Sequence, residues 1–94
     1  MKKQTKKYNY RTTVVFSLKD RVGVLCDALY PFKKNKINLS RIVSRPDRNK
    51  EWQYVFFMEI EGSRDDAEIR RALLGLKKHS AYVYVLGSYP FRKI

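Results

Sequence analysis

The sequence predicts an α+β sandwich in which two helices cover one face of a four-stranded antiparallel sheet. Three observations lead there. Apolar residues alternate in four separate segments, they recur at helical spacing in two others, and the segments follow one another in the order βαββαβ. A helix with one apolar stripe must bury that stripe, and one face of a shared sheet satisfies both helices at once.

The first strand is read over 11–18, where Thr12, Val14, Phe16 and Leu18 alternate with Thr13, Val15 and Ser17. Asp20-Arg21-Val22-Gly23 then supplies a helix cap, and Leu25, Ala28, Leu29 and Phe32 mark one helical face. Pro31 breaks that pattern: an interior proline removes a hydrogen bond at about 3 kcal/mol, so a bend or an end is expected near Tyr30. Lys33-Lys34-Asn35-Lys36 finishes the element, with cations where the helix dipole favours them.

Residues 37–44 and 52–59 read as an antiparallel hairpin joined by the polar run Arg45-Pro46-Asp47-Arg48-Asn49-Lys50. In its second arm Trp52, Tyr54, Phe56 and Met58 alternate with Gln53, Val55, Phe57 and Glu59. Both faces of that arm are therefore apolar; one should meet the helices and the other should be at least partly covered. Ser63-Arg64-Asp65-Asp66 has capping-box spacing, and Ile69, Ala72, Leu73 and Leu76 form the stripe of a second helix that closes on Lys77-Lys78-His79. The last strand spans 81–86 and ends at Gly87-Ser88-Tyr89-Pro90. The order is that of the ferredoxin-like βαββαβ sandwich.

A basic flexible leader over 1–10, one domain over 11–90 and a short tail over 91–94 describe the organisation. A chain of 94 residues buries only about 60 to 65% of its unfolded surface, so a homodimer or higher oligomer is expected. Cys26 has no disulfide partner and no apolar run is long enough to span a bilayer, which suits a soluble, cytoplasmic protein that does not meet a membrane. One cysteine and one histidine, His79, cannot build a zinc cluster or a nucleophile–base pair. Neither catalysis nor a metal or cofactor is expected. The net charge of +12 suggests an anionic partner, although much of it lies in Lys2, Lys3, Lys6, Lys7 and Arg11 at the start.

Three segments carry chemistry of another kind. Gly23 lets backbone approach a ligand closely, and the free N–H groups of the helix start that follows favour a carboxylate. Asn38 has an oxygen to accept from an ammonium and an NH2 to hold a carboxylate. Together Val22-Gly23-Val24-Leu25, Asn38-Leu39, Val43-Ser44-Arg45-Pro46, Trp52-Gln53-Tyr54-Val55-Phe56-Phe57 and Leu86-Gly87-Ser88-Tyr89-Pro90 closely resemble the ACT domain at the C-terminus of prephenate dehydratases. The resemblance covers about 11–90.

That resemblance implies a regulatory domain, not an enzyme, which senses L-phenylalanine or another aromatic amino acid for feedback control and works with a dehydratase catalytic domain. It implies a ligand-binding set of Val22, Gly23, Val24, Leu25, Asn38, Leu39, Val43 and Ser44, shared between two subunits. Val43 is the main departure, since the family usually has glutamate there, and its loss removes a charge and two acceptors near the ligand.

An RNA-recognition motif has the same element order and is the competing reading, with Phe16 and Tyr54 as stacking aromatics. Glu51 replaces the glycine of its third-strand pattern and would repel phosphate. Nucleic acid is therefore the less favoured partner.

Overall fold

The computed structural model describes residues 9–19, 21–50 and 53–91. Its elements run β1 (Asn9–Lys19), α1 (Val24–Lys34), β2 (Leu39–Pro46), β3 (Gln53–Glu61), α2 (Ala67–His79) and β4 (Tyr82–Phe91). The four strands form one antiparallel sheet in the order β2-β3-β1-β4, with both helices on the same face. This is the ferredoxin-like sandwich that the sequence predicts.

Register explains why one face is core. Val14, Phe16 and Leu18 on β1 stand beside Met58, Phe56 and Tyr54 on β3, and all but Tyr54 are at most 7% exposed. Phe16 and Phe56 stack with ring centroids 5.1 Å apart. Ala28 and Phe32 from α1 and Ile69, Ala72 and Leu76 from α2 close over them. Thr12 is buried too, and its hydroxyl is satisfied by donating to the Gly62 carbonyl at 2.7 Å and by the Ser88 hydroxyl at 2.6 Å.

Several boundaries move. β1 starts at Asn9 and pairs Asn9 with Phe91 and Tyr10 with Pro90, so the domain extends beyond the expected limits of 11 and 90. The remainder of the expected leader, 1–8, and of the tail, 92–94, lies outside the described residues, as do Asp20 and Trp52. The hairpin arms sit two residues later than expected in the first arm and end at Glu61 in the second. Ile37 is left outside β2, where its N–H donates to the Phe32 carbonyl at 2.8 Å.

α1 does not end near Tyr30; it runs through Pro31 to Lys34. The proline ring lies against Gly75 of α2, where a Cβ would come within 2.6 Å of the ring. The Pro31 carbonyl accepts from both the backbone N–H and the side-chain amide of Asn35, which closes the helix. Packing against α2 thus outweighs the one hydrogen bond that proline removes.

The box at Ser63 is only half used: Asp66 Oδ2 accepts from the Ser63 N–H at 2.9 Å, while the Ser63 hydroxyl accepts from Asp65 N–H. The helix therefore begins at Ala67, after a turn. β4 does not end at Gly87. A bulge between the pairs Thr13–Gly87 and Val14–Val85 absorbs Leu86, and the strand continues to Phe91. Pro46 and Pro90 both lie on edge strands, where a missing N–H breaks no interior ladder.

Candidate functional site

The turn between β1 and α1 is built around Gly23, whose φ of 79° lies in the left-handed region that favours glycine. Val24 N–H donates to the Arg21 carbonyl at 3.1 Å, and the Gly23 carbonyl takes the first helical bond, from Asp27 N–H at 3.0 Å. Nothing lies within 4 Å of where a Gly23 side chain would project, so the turn is open to an incoming group. No side chain caps α1, and with the Val24 N–H turned to Arg21 it is the N–H groups of Leu25 and Cys26 that can face an anion.

Beside this turn is a recess of about 320 Å³, at the small end of ligand-sized cavities. Gly23, Val24 and Leu25 line it together with Ser44 of β2. Its apolar side is Leu18, Phe56 and the ring of Tyr54, and its cations are Lys19 and Arg21. Arg21 also pairs loosely with Asp27 at 3.6 Å, both half exposed. An apolar wall, a helix start and two cations suit a small molecule that joins an apolar side chain to a carboxylate. The lining side chains offer an ammonium only the neutral hydroxyls of Ser44 and Tyr54.

The other residues of the expected set lie elsewhere. Val22 is 98% exposed on the outside of the turn. Leu39 begins β2 at the opposite end, roughly 17 Å from Ser44 along the strand, with Asn38 just before it, and the Asn38 carbonyl accepts from Glu61 N–H at 2.9 Å. Val43 pairs with Phe57 and faces the side of the sheet away from the helices, where it lines a second recess with Arg41, Arg45 and Phe57. One copy therefore brings together Gly23, Val24, Leu25 and Ser44, and holds Asn38, Leu39 and Val43 apart from them. Lys19, Arg21 and Tyr54 were not in the expected set. Only the pairing of β3 with β1 shows that Tyr54 reaches the glycine turn.

The aromatics of the competing reading are misplaced for stacking on bases. Phe16 is fully buried against Phe56, and Tyr54 is on the helix-covered face. Among the described residues no group of three or more His, Cys, Asp and Glu could hold a metal, and no helix is long and apolar enough to cross a membrane.

The profile of the ACT domain matches residues 12–77 of this ferredoxin-like sandwich. The chain belongs to the ACT domain family. Within it, the sequence matches the regulatory domain of prephenate dehydratases. It is 44% identical over 80 residues to the bifunctional chorismate mutase/prephenate dehydratase of Aquifex aeolicus, an alignment that covers 85% of this chain and 22% of that protein. The chain thus spans about a fifth of the curated relatives it matches. A prephenate dehydratase from Arthrobacter aurescens, solved in complex with L-Phe, superposes with a TM-score of 0.79 at 36% identity, over 95% of this chain and 29% of that one. GqqA, a quorum quenching acylase, superposes with a TM-score of 0.83 at 28% identity, over 87% of this chain and 30% of that one.

Proposed function

We propose that this chain senses L-phenylalanine for feedback control of prephenate dehydratase, and that each ligand is held between two copies. The recess at Gly23 carries the reading. Its apolar wall would take the aromatic ring, while the N–H groups of Leu25 and Cys26, with Lys19 and Arg21, would take the carboxylate. It lacks a strong acceptor for the ammonium, and the Asn38 amide oxygen of a neighbouring copy is the group of the right chemistry to supply one. The L-Phe complex of the Arthrobacter aurescens enzyme, matched along nearly all of this chain, supports the choice of ligand.

The control would act on a catalytic domain, carried by the same polypeptide or a separate one. Effector and active site are then distinct, and phenylalanine shifts whichever assembly it binds more tightly.

Calorimetry and thermal unfolding test the proposal. Saturating L-phenylalanine, at a hundred times its dissociation constant, should add about 2.7 kcal/mol of stability, and glycine or lysine should add little. Asn38→Ala should weaken binding by about 1 to 3 kcal/mol through an ammonium left without its acceptor. Binding unchanged in Asn38→Ala would remove Asn38 from the site. No binding of any aromatic amino acid by the parent chain would end the reading.

A further inference from the structure

Besides the far face of the sheet, which one copy leaves bare contrary to the sequence expectation of partial cover, large apolar side chains also stand open on the helix layer. Tyr30 of α1 is 59% exposed and Leu74 of α2 is 65% exposed. They form the two rims of a groove between the helices, a recess of about 380 Å³. Its floor is the contact of Pro31 with Gly75, so tight that a Cβ on the glycine would come within 2.6 Å of the proline ring.

The order of residues along the groove follows from that contact. Four positions beyond Pro31, Asn35 meets Arg71, whose Nε donates to the Asn35 Oδ1 at 3.1 Å. The helices therefore run antiparallel, and four positions the other way Asp27 stands opposite His79. One end of the groove holds Lys34 and Arg71, and the middle holds Tyr30 and Leu74. The other end holds Lys78 and His79 beside Asp27, which is already paired with Arg21 at 3.6 Å. Among the described residues no carboxylate comes within ion-pair distance of Lys34, Arg71 or Lys78.

We propose that this groove seats an acidic amphipathic helix supplied from outside this chain, laid as a third helix on the outer side of the two. Cations at the ends with an apolar pair between them match a partner that carries carboxylates at i and i+7 and an apolar anchor at i+3 or i+4. Arg71 and Lys78 are seven residues apart on α2, about 10.5 Å, and a partner helix repeats at the same rise, so its two acids reach both ends at once. Its anchor then lies between Tyr30 and Leu74, over the Pro31–Gly75 floor. A crossing of about 20° displaces the partner by under about 4 Å over that length, which Lys and Arg side chains span.

Arg71 is set for this role. Its Nε is held by Asn35, whose own amide donates to the Pro31 carbonyl at 2.8 Å, and its two Nη groups have no partner among the described residues. A guanidinium held in this way takes a carboxylate through two parallel hydrogen bonds.

Other occupants fit less well. A second copy offers no acidic helix, because α1 carries one acid against two cations and α2 one against four. A nucleic-acid backbone would satisfy the cations but run its charge across Leu74. A small anion engages one end only. The groove shares no lining residue with the Gly23 recess, so the proposal stands or falls apart from the amino-acid site.

Fluorescence anisotropy at physiological salt tests it, with the 94-residue chain and a labelled synthetic helix as the probe. The probe is an alanine-based peptide of about fifteen residues, with glutamates seven apart and a leucine pair midway between them. The parent should bind it with a Kd of about 100 μM or tighter. Tyr30→Ala with Leu74→Ala leaves the charge unchanged and, at positions already exposed, should weaken binding at least about tenfold. Reversing the ends with Lys34→Glu, Arg71→Glu and Lys78→Glu together should reject the acidic peptide and accept one with lysines in place of its glutamates. Circular dichroism melts close to the parent's keep a folding defect from passing as lost binding.

No binding of the acidic helix by the parent overturns the proposal. Equal binding of a peptide whose leucines are replaced by alanine overturns it too, since the contact would be one of charge alone. A folded, reversed chain that rejects the lysine peptide does the same. So does a thymidine oligonucleotide that binds more tightly than the peptide, and equally to the parent and the Tyr30→Ala, Leu74→Ala variant, which would leave the groove to nucleic acid.

Discussion

The two faces of one sheet both carry aromatic side chains, to different ends. On the helix side Phe16 and Phe56 stack in full burial; on the far side Phe57 and Tyr84, one residue out of phase, stand in the open. At the middle of the sheet residue type does not separate them, because Phe56 and Phe57 are neighbours on β3 and point to opposite faces. What separates them is the helix stripe of Ala28, Phe32, Ile69, Ala72 and Leu76, just wide enough to cover a single face. The lesson is that an apolar residue in a strand reports that something should cover it, and the number of helices limits how much the chain covers itself.

The largest effect expected from this comparison is a contrast between neighbours. Phe16→Ala should cost about 3 to 5 kcal/mol in urea melts, for lost burial and the cavity left beside Phe56. Phe57→Ala, measured in dilute solution where copies are apart, should cost under about 1 kcal/mol. Equal costs would mean that the two faces are equally buried in the single copy.

A smaller effect should appear where the covering layer is held together. Gly75→Ala places a methyl 2.6 Å from the Pro31 ring, so the helices must separate, and the cost should be about 1 to 3 kcal/mol. A neutral or stabilising result would show that the crossing has room to spare.

The smallest effect belongs to the bare face and is read from pH. Tyr89 donates a hydrogen bond to Glu59, and that bond, with some burial and the carboxylate's charge, raises the phenol above its ordinary value of 10.0. The folded form holds this proton more tightly than the unfolded one, so the contribution is present below pH 10 and is lost as pH rises through the higher folded value. Tyr89→Phe should flatten that alkaline decline in urea titrations. An unchanged slope would remove the pair from the balance.

Much of the fold was legible because period-two and period-3.6 patterns record which side faces the core. Boundaries were less so. Leu86 reads as the end of a strand, yet a bulge takes it up and pairing resumes beyond Gly87; Pro31 reads as a helix end, yet the surface it fits is Gly75, forty-four positions away. The glycine turn of the candidate site was readable from one tripeptide. Its aromatic wall was not, since Tyr54 joins it only through the register of β3 against β1. Nor does a linear sequence show that Asn38 lies at the wrong end of β2 to serve the turn in its own chain.

That separation of Asn38 from Gly23 has a consequence for how such a sensor would be calibrated. A ligand that needs both ends must find them on different molecules, so its occupancy depends on how crowded the protein is as well as on how abundant the ligand is. Dilution alone would then deafen the receptor, and an expression level that doubles would lower the ligand concentration giving half response. Linkage also runs backwards: the amino acid would raise the affinity of the copies for each other by the same factor that pairing raises theirs for it.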